Sequence, residues 1–310
     1  MKVLVAGSTG LAGSAISAAF EKQGREVIPL SRKVVDLMDL EATRIFLAKT
    51  KPSLVVDAAA KVGGIGANNS YPVEFLADNT RIQSNLMQAS HEADVENFVF
   101  LGSSCIYPRD CKQPIKEEYL LTGPLEATNS AYAIAKISGI ELIKSYRKEY
   151  GRKWISLMPT NLYGPGDNFN LQTSHVLPAL IKRFVEAKQA NSPGVSLWGT
   201  GSPLREFLHV NDLAQAILLT AETYDSPLHL NVGTGVEISI RDLSTLIAEE
   251  VGFKGEIIWD SSKPDGTHRK TLDIRRIKAL GWKPTITLEE GIASTIAWYR
   301  SASAKGELRK

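Results

Sequence analysis

Tyr132 and Lys136 stand four residues apart in the run Tyr132-Ala133-Ile134-Ala135-Lys136, the spacing that puts two side chains on one face of a helix. An ammonium beside a phenol favours the phenolate, so the spacing predicts a tyrosine able to give and take a proton near neutral pH. Upstream, Gly102-Ser103-Ser104-Cys105-Ile106-Tyr107-Pro108 offers the Ser103 hydroxyl to hold a carbonyl oxygen. Cys105, two residues on, is a second possible acid or base. Around one cleft these groups suit redox chemistry on a ketone and proton chemistry on the carbons beside it. Each also has a plainer reading: an ordinary helix-surface pair for Tyr132 and Lys136, a small buried apolar side chain for Cys105.

The elements that must position these residues read as alternating strands and helices. Lys2–Ala6, Glu26–Leu30, Ser53–Ala58, Asn97–Leu101 and Trp154–Met158 are apolar runs of strand length. Helical patterns lie between them, to about Gln23, over Asp39–Thr50, from Pro72 to about Ala93, and through Tyr132 to Tyr150. The glycine-rich stretch Val62–Gly66 reads as a loop. The alternation predicts an α/β fold with a doubly wound parallel sheet of the Rossmann kind. Beyond Pro159 the pattern shortens, with helices at Val176–Ala187, Asn211–Thr223, Ile240–Val251, Ile274–Leu280 and Leu288–Tyr299 and strands at Val195–Trp198 and Leu228–Val232. The expected division is a dinucleotide-binding domain over 1–160, rejoined by a segment near 207–233, and a smaller α/β substrate lobe from 161–206 and 234–310. The charged tail from Ser301 is expected to fray.

Between the first strand and the first helix lies Gly7-Ser8-Thr9-Gly10-Leu11-Ala12-Gly13. Glycines at that turn let the backbone approach a pyrophosphate at a helix N-terminus. The second strand ends in Ser31-Arg32-Lys33, with no acid before Asp36. A hydroxyl and two cations there suit a 2′-phosphate, so NADP(H) is expected over NAD(H), with Arg32 as its partner.

The bulk composition excludes several classes. Lys and Arg number 36 against 34 Asp and Glu, a net charge of +2, which gives no electrostatic case for nucleic acid or a membrane surface. Two cysteines, Cys105 and Cys111, are too few for a disulfide scaffold and lack metal-ligand spacing. The opening apolar run is too short for a signal peptide. The expectation is a soluble, cytoplasmic, metal-free protein.

These residues carry a resemblance. Gly7, Gly10 and Gly13, Ser103 and the Tyr132/Lys136 pair resemble the extended short-chain dehydrogenase/reductases that act on nucleotide sugars. Longer stretches are similar to the GDP-L-fucose synthases within them: Ala59–Ile65, Gly102–Pro108, Met158–Pro165, Arg205–Val210 and Lys263–Thr267. Cys105 together with Ser174-His175-Val176 separates that group from its cousins. The resemblance implies a GDP-sugar substrate, GDP-4-keto-6-deoxy-D-mannose, whose C4 ketone acidifies the protons on C3 and C5. Cys105 and His175 would exchange those protons, Ser103 and Tyr132 would hold the enolate oxygen, and reduction at C4 by NADPH would end with a proton from Tyr132. Lys136 and His175 would also contact the cofactor. Substrate contacts are expected from Asn161, Arg183, Trp198, Arg205 and either Arg269 or Lys270, and a homodimer through helices 73–92 and 130–150. Thr9 departs from the family, which often has an arginine there, and this puts more weight on Arg32. Two alternatives keep the same fold: a 4-reductase without epimerisation, and a non-catalytic NADP(H)-binding sensor.

Overall fold

The computed structural model describes residues 1–263 and 265–308. Apolar runs bounded by turn residues form β1 (Lys2–Ala6), β2 (Glu26–Leu30), β3 (Leu54–Asp57), β4 (Asn97–Leu101) and β5 (Ile155–Pro159). Between them run α1 (Leu11–Lys22), α2 (Leu40–Thr50), α3 (Ile65–Ser70), α4 (Pro72–Glu92) and α5 (Ser130–Tyr150). Local signals set their ends. The Asp39 carboxylate accepts the N–H of Ala42 at 3.0 Å to cap α2, Pro72 takes the first turn of α4, and Gly151 ends α5 at φ 69°.

The second half adds β6 (Asn161–Tyr163), α6 (Val176–Gln189), β7 (Gly194–Trp198), β8 (Leu204–Arg205), β9 (Phe207–His209), α7 (Val210–Thr223) and β10 (Leu230–Val232). It closes with β11 (Ile238–Ser239), α8 (Ile240–Val251), β12 (Glu256–Asp260), β13 (Arg269–Lys270), α9 (Arg275–Ala279) and α10 (Leu288–Lys305).

The main sheet has six parallel strands in the order β10–β5–β4–β3–β1–β2. Chain direction across it reverses between β1 and β3, and open α/β sheets bind ligands at the carboxyl ends beside such a point. Strand β10 is supplied by the second half: Leu230 pairs with Leu157 and Val232 with Pro159. Helix α7, just before it, packs on α1. The buried core of this unit includes Val3–Ala6, Val55, Val56, Phe98, Phe100, Trp154 and Leu157. A second core gathers Leu177, Ile181 and Phe184 of α6, Leu243 and Ile247 of α8, and Ile292 and Ile296 of α10.

Two expectations fail. The stretch 62–66 is not all loop: Ile65 starts α3, because the Asn68 amide donates back to the carbonyls of Gly63 (2.7 Å) and Gly64 (3.1 Å) and fastens the turn. The tail does not fray at Ser301, since α10 runs on to Lys305 from a capping box of Thr287 and Glu290. Pro264, in the Lys263–Thr267 motif, lies outside the described residues.

Candidate active site

A cleft of about 960 Å³ opens at the carboxyl ends of β1, β3, β4 and β5. Ser103, Cys105, Tyr132, Lys136, Asn161, His175 and Arg205 all face it, from segments spread over a hundred residues. At the end of β4, Ser103 caps the short turn Ser104–Ile106, its hydroxyl accepting the Cys105 N–H at 3.3 Å. The same hydroxyl is hydrogen-bonded to that of Tyr132, from the first turn of α5. A serine and a tyrosine hydroxyl this close can both turn to donate to one ketone oxygen, giving up the bond between them.

The Tyr132/Lys136 pair is not the one expected. Burial, with the charge of Cys105 added, pushes the Tyr132 hydroxyl well above the usual phenol range. The Lys136 ammonium directs its hydrogen bond elsewhere. It is buried, donates to the Leu101 carbonyl at 2.9 Å and sits 6.0 Å from the centre of the Tyr132 ring. Burial pulls the Lys136 ammonium below its ordinary range, while Asp57 pulls it back up. As it stands, Tyr132 is a proton donor rather than a resting phenolate.

Cys105 has two polar neighbours: the Asn129 amide at 3.7 Å and the Lys270 ammonium at 3.5 Å from its sulfur. His175 is the N-terminal flanking residue of α6. Its side chain is exposed in the cleft mouth, yet desolvation by the surrounding walls and the nearby Lys270 charge pull its imidazole below the usual range, so near neutral pH it can accept a proton. A thiol, an imidazole and a Ser/Tyr hydroxyl pair on one cavity wall can exchange protons on carbons next to a ketone and protonate its oxygen.

Around the glycine loop, Gly7, Thr9, Gly10, Leu11 and Arg32 line the cleft. Gly7 has φ +75°, and a Cβ on it would come 2.6 Å from the Ala58 carbonyl oxygen. Ser8 and Gly13 do not reach the cleft wall. A Cβ on Gly13 would strike the Gly7 carbonyl, so Gly13 serves the loop by letting α1 start close beneath it. Helix α1 has no side-chain N-cap, which leaves first-turn N–H groups for an anion. The Arg32 side chain is 84% exposed and stands 3.4 Å from Asp36, which also faces the cleft.

The substrate expectations divide. Asn161 and Arg205 line the cleft, and the Asn161 amide is fixed by the Glu206 carbonyl at 2.8 Å. Arg183, Trp198 and Arg269 are not on its wall among the described residues. The Arg183 guanidinium bonds the Ser196 carbonyl at 3.0 Å, Trp198 is 69% exposed at the end of β7, and Arg269 pairs with Glu237 at 2.7 Å. Of Arg269 and Lys270, Lys270 is the one that enters. They occupy a two-residue strand, where adjacent side chains point to opposite faces, so only one of them can face the cavity. Asn129, Lys61 and Arg109 also line the cleft, at positions to which the sequence reading assigns no site role. Asn129 was findable as the residue just before the Tyr132 helix.

Residues 3–233 match the NAD dependent epimerase/dehydratase family. The chain belongs to that family. Among epimerase/dehydratase relatives, a GDP-L-fucose synthase of Escherichia coli strain K12 is 50% identical over 308 residues, covering 96% of this chain and 96% of that protein. A GDP-L-fucose synthetase from Naegleria fowleri, solved with NADP bound, superposes with a TM-score of 0.91 at 31% identity, over 100% of this chain and 96% of that one. A GDP-6-OMe-4-keto-L-xylo-heptose reductase from C. jejuni gives 0.90 at 32%, covering 97% of each chain. Among the described residues, no helix is long and apolar enough to cross a membrane.

Proposed function

We propose that this chain converts GDP-4-keto-6-deoxy-D-mannose to GDP-L-fucose, by epimerisation at C3 and C5 and reduction at C4. The observation that carries this reading is that Cys105 and His175 share one cleft with the Ser103–Tyr132 hydroxyl pair. A simple reductase needs the hydroxyls alone; the thiol and imidazole give the site a base and an acid for the neighbouring carbons. The 50% identity to a GDP-L-fucose synthase supports the same substrate.

The glycine loop fits an NADP(H) pyrophosphate, since Gly7 and Gly10 line the cleft where α1 has no side-chain cap on its first-turn N–H groups, and Arg32 is exposed on one side, where it would meet a 2′-phosphate. NADP(H), when bound, supplies the hydride for C4. Lys136 would hold the nicotinamide ribose, and His175, on the same cleft wall, would contact the cofactor. Ser103 and Tyr132 hold the keto oxygen and stabilise its enolate while Cys105, as thiolate, removes a proton from C3 or C5 and His175, having taken a proton from solvent, returns one to the other face. Tyr132 then protonates the oxygen at C4. Arg205 and Lys270 meet the diphosphate, in a lobe formed by 161–206 and 234–310. Val73, Leu76 and Ile134 are exposed on α4 and α5, and we assign to these helices the contact of a homodimer. Two free cysteines suit a cytoplasmic setting.

Turnover of the 4-keto sugar nucleotide with NADPH in deuterium oxide tests the reading. GDP-L-fucose bearing deuterium at C3 and C5 is expected. A 6-deoxy product reduced at C4 without deuterium would replace the proposal with a plain 4-reductase. Binding of NADPH without any turnover would leave a sensor.

A further inference from the structure

Asp57 closes β3 and is fully buried. In the sheet it lies opposite Ala6 of β1 and Phe100 of β4. Register partners on parallel strands present their side chains to the same face. The Phe100 ring lies under α5, against Gly139 and 4.8 Å from the Lys136 ammonium. Asp57 is therefore on the α5 side of the sheet, beneath the turn that carries Tyr132 and Lys136. Its Oδ1 accepts the Ala59 N–H at 3.1 Å. Its Oδ2 is buried with no hydrogen-bond partner among the described residues.

A carboxylate held this way is costly unless an opposite charge stands near. Lys136 supplies that charge, and each of the two favours the charged form of the other. Burial still leaves the Asp57 carboxyl raised to about 6. Its negative charge also adds to what holds the Tyr132 proton on. Among the described residues, Asp57 is the one charge that favours the Lys136 ammonium. Strand β4 has no titratable residue, Lys2 of β1 pairs with Glu26, and Glu74 and Asp78 of α4 are turned to Lys61.

We infer that Asp57 is a positioning residue: a buried counter-charge, placed by β3, that keeps Lys136 an ammonium and Tyr132 a loaded proton donor. The inference deepens the proposed function, because it biases the site toward delivering a proton to a keto oxygen rather than withdrawing one from an alcohol.

The first readout needs neither substrate nor cofactor. In protein labelled with carbon-13 lysine, the Lys136 Cε resonance is identified by its loss in Lys136→Met and followed against pH. In Asp57→Asn it should titrate about one pH unit lower than in the parent. The second is NADPH affinity measured between about pH 7 and about pH 9: the variant should match the parent near neutrality and, as pH rises, lose affinity at a lower pH than the parent does. Identical Lys136 titration in both proteins overturns the inference. If Asp57→Asn does not fold, Asp57→Ser makes the same comparison. A parent that binds no NADPH defeats the proposed activity and leaves the lysine titration to decide this point alone.

Discussion

Gly139→Ala is the sharpest test of how the sheet places the site. Gly139 lies on the face of α5 that meets β4, and a Cβ there would stand 2.6 Å from Cε1 and 3.0 Å from Cε2 of the buried Phe100 ring. Carbon atoms rest at about 3.5 Å, so helix and ring must part by roughly 1 Å. Overpacking of this kind costs about 1–3 kcal/mol, against about 1 kcal/mol returned by alanine's helix preference. The net loss of stability is therefore modest, on the order of 1 kcal/mol. The functional loss is expected to be larger. Lys136, one turn earlier on α5, reaches the Leu101 carbonyl at 2.9 Å, and a shift of roughly 1 Å breaks that bond and displaces Tyr132 with it. A misplacement of that size costs up to about a hundredfold in rate. Steady-state kcat on the keto sugar, beside a thermal melt, measures both. Gly66→Ala is the control, since a Cβ at Gly66 meets nothing within 4 Å, and it should keep or slightly raise the parent's melting temperature. A Gly139→Ala enzyme with the parent's kcat would refute the claim that close approach of α5 sets the lysine.

Other expectations concern single side chains. Cys105→Ser should abolish deuterium incorporation from solvent while the fold and NADPH binding persist, and full incorporation would remove the thiol from the mechanism. Arg32→Ala should weaken NADPH binding by about tenfold to a hundredfold, the worth of a charge-assisted bond, and leave NADH unchanged in a fluorescence titration. His175 has its pKa depressed, so its neutral form predominates near neutral pH and is lost as pH falls through a value below that of a free histidine. Its ring proton resonance should titrate lower than that of a free histidine, and Lys270→Met should move it up.

What the sequence disclosed and what it hid follow from range. The glycine loop, the strands that deliver Ser103 and Cys105, and the Tyr132 helix are local patterns, and the structure has each where the residues place it. Helix α3 was hidden because Gly63, Gly64 and Gly66 argue for loop, whereas the Asn68 amide that fixes its first turn acts through backbone carbonyls that no pattern reports. Lys270 could not be told from Arg269 because β13 finds its register only by pairing with β8, 65 residues earlier in the chain. The reach of Lys136 to Leu101 rather than to Tyr132 depends on how deep α5 sits, which rests on the bare Gly139. Arg183 and Trp198 were placed by their types alone, and the structure puts neither on the cleft wall.

The main sheet takes its sixth strand, β10, from residues 230–232, beyond α6 and the strands that follow it. During synthesis the ribosome must therefore deliver more than two-thirds of the chain before the β5 edge is covered. Until then β5, buried on both faces in the finished protein and rich in apolar side chains, is an open template for any other strand. Cutting the chain near the end of β5 would leave that edge permanently bare, so the first half has no clean breakpoint there and depends on the second half to finish its sheet.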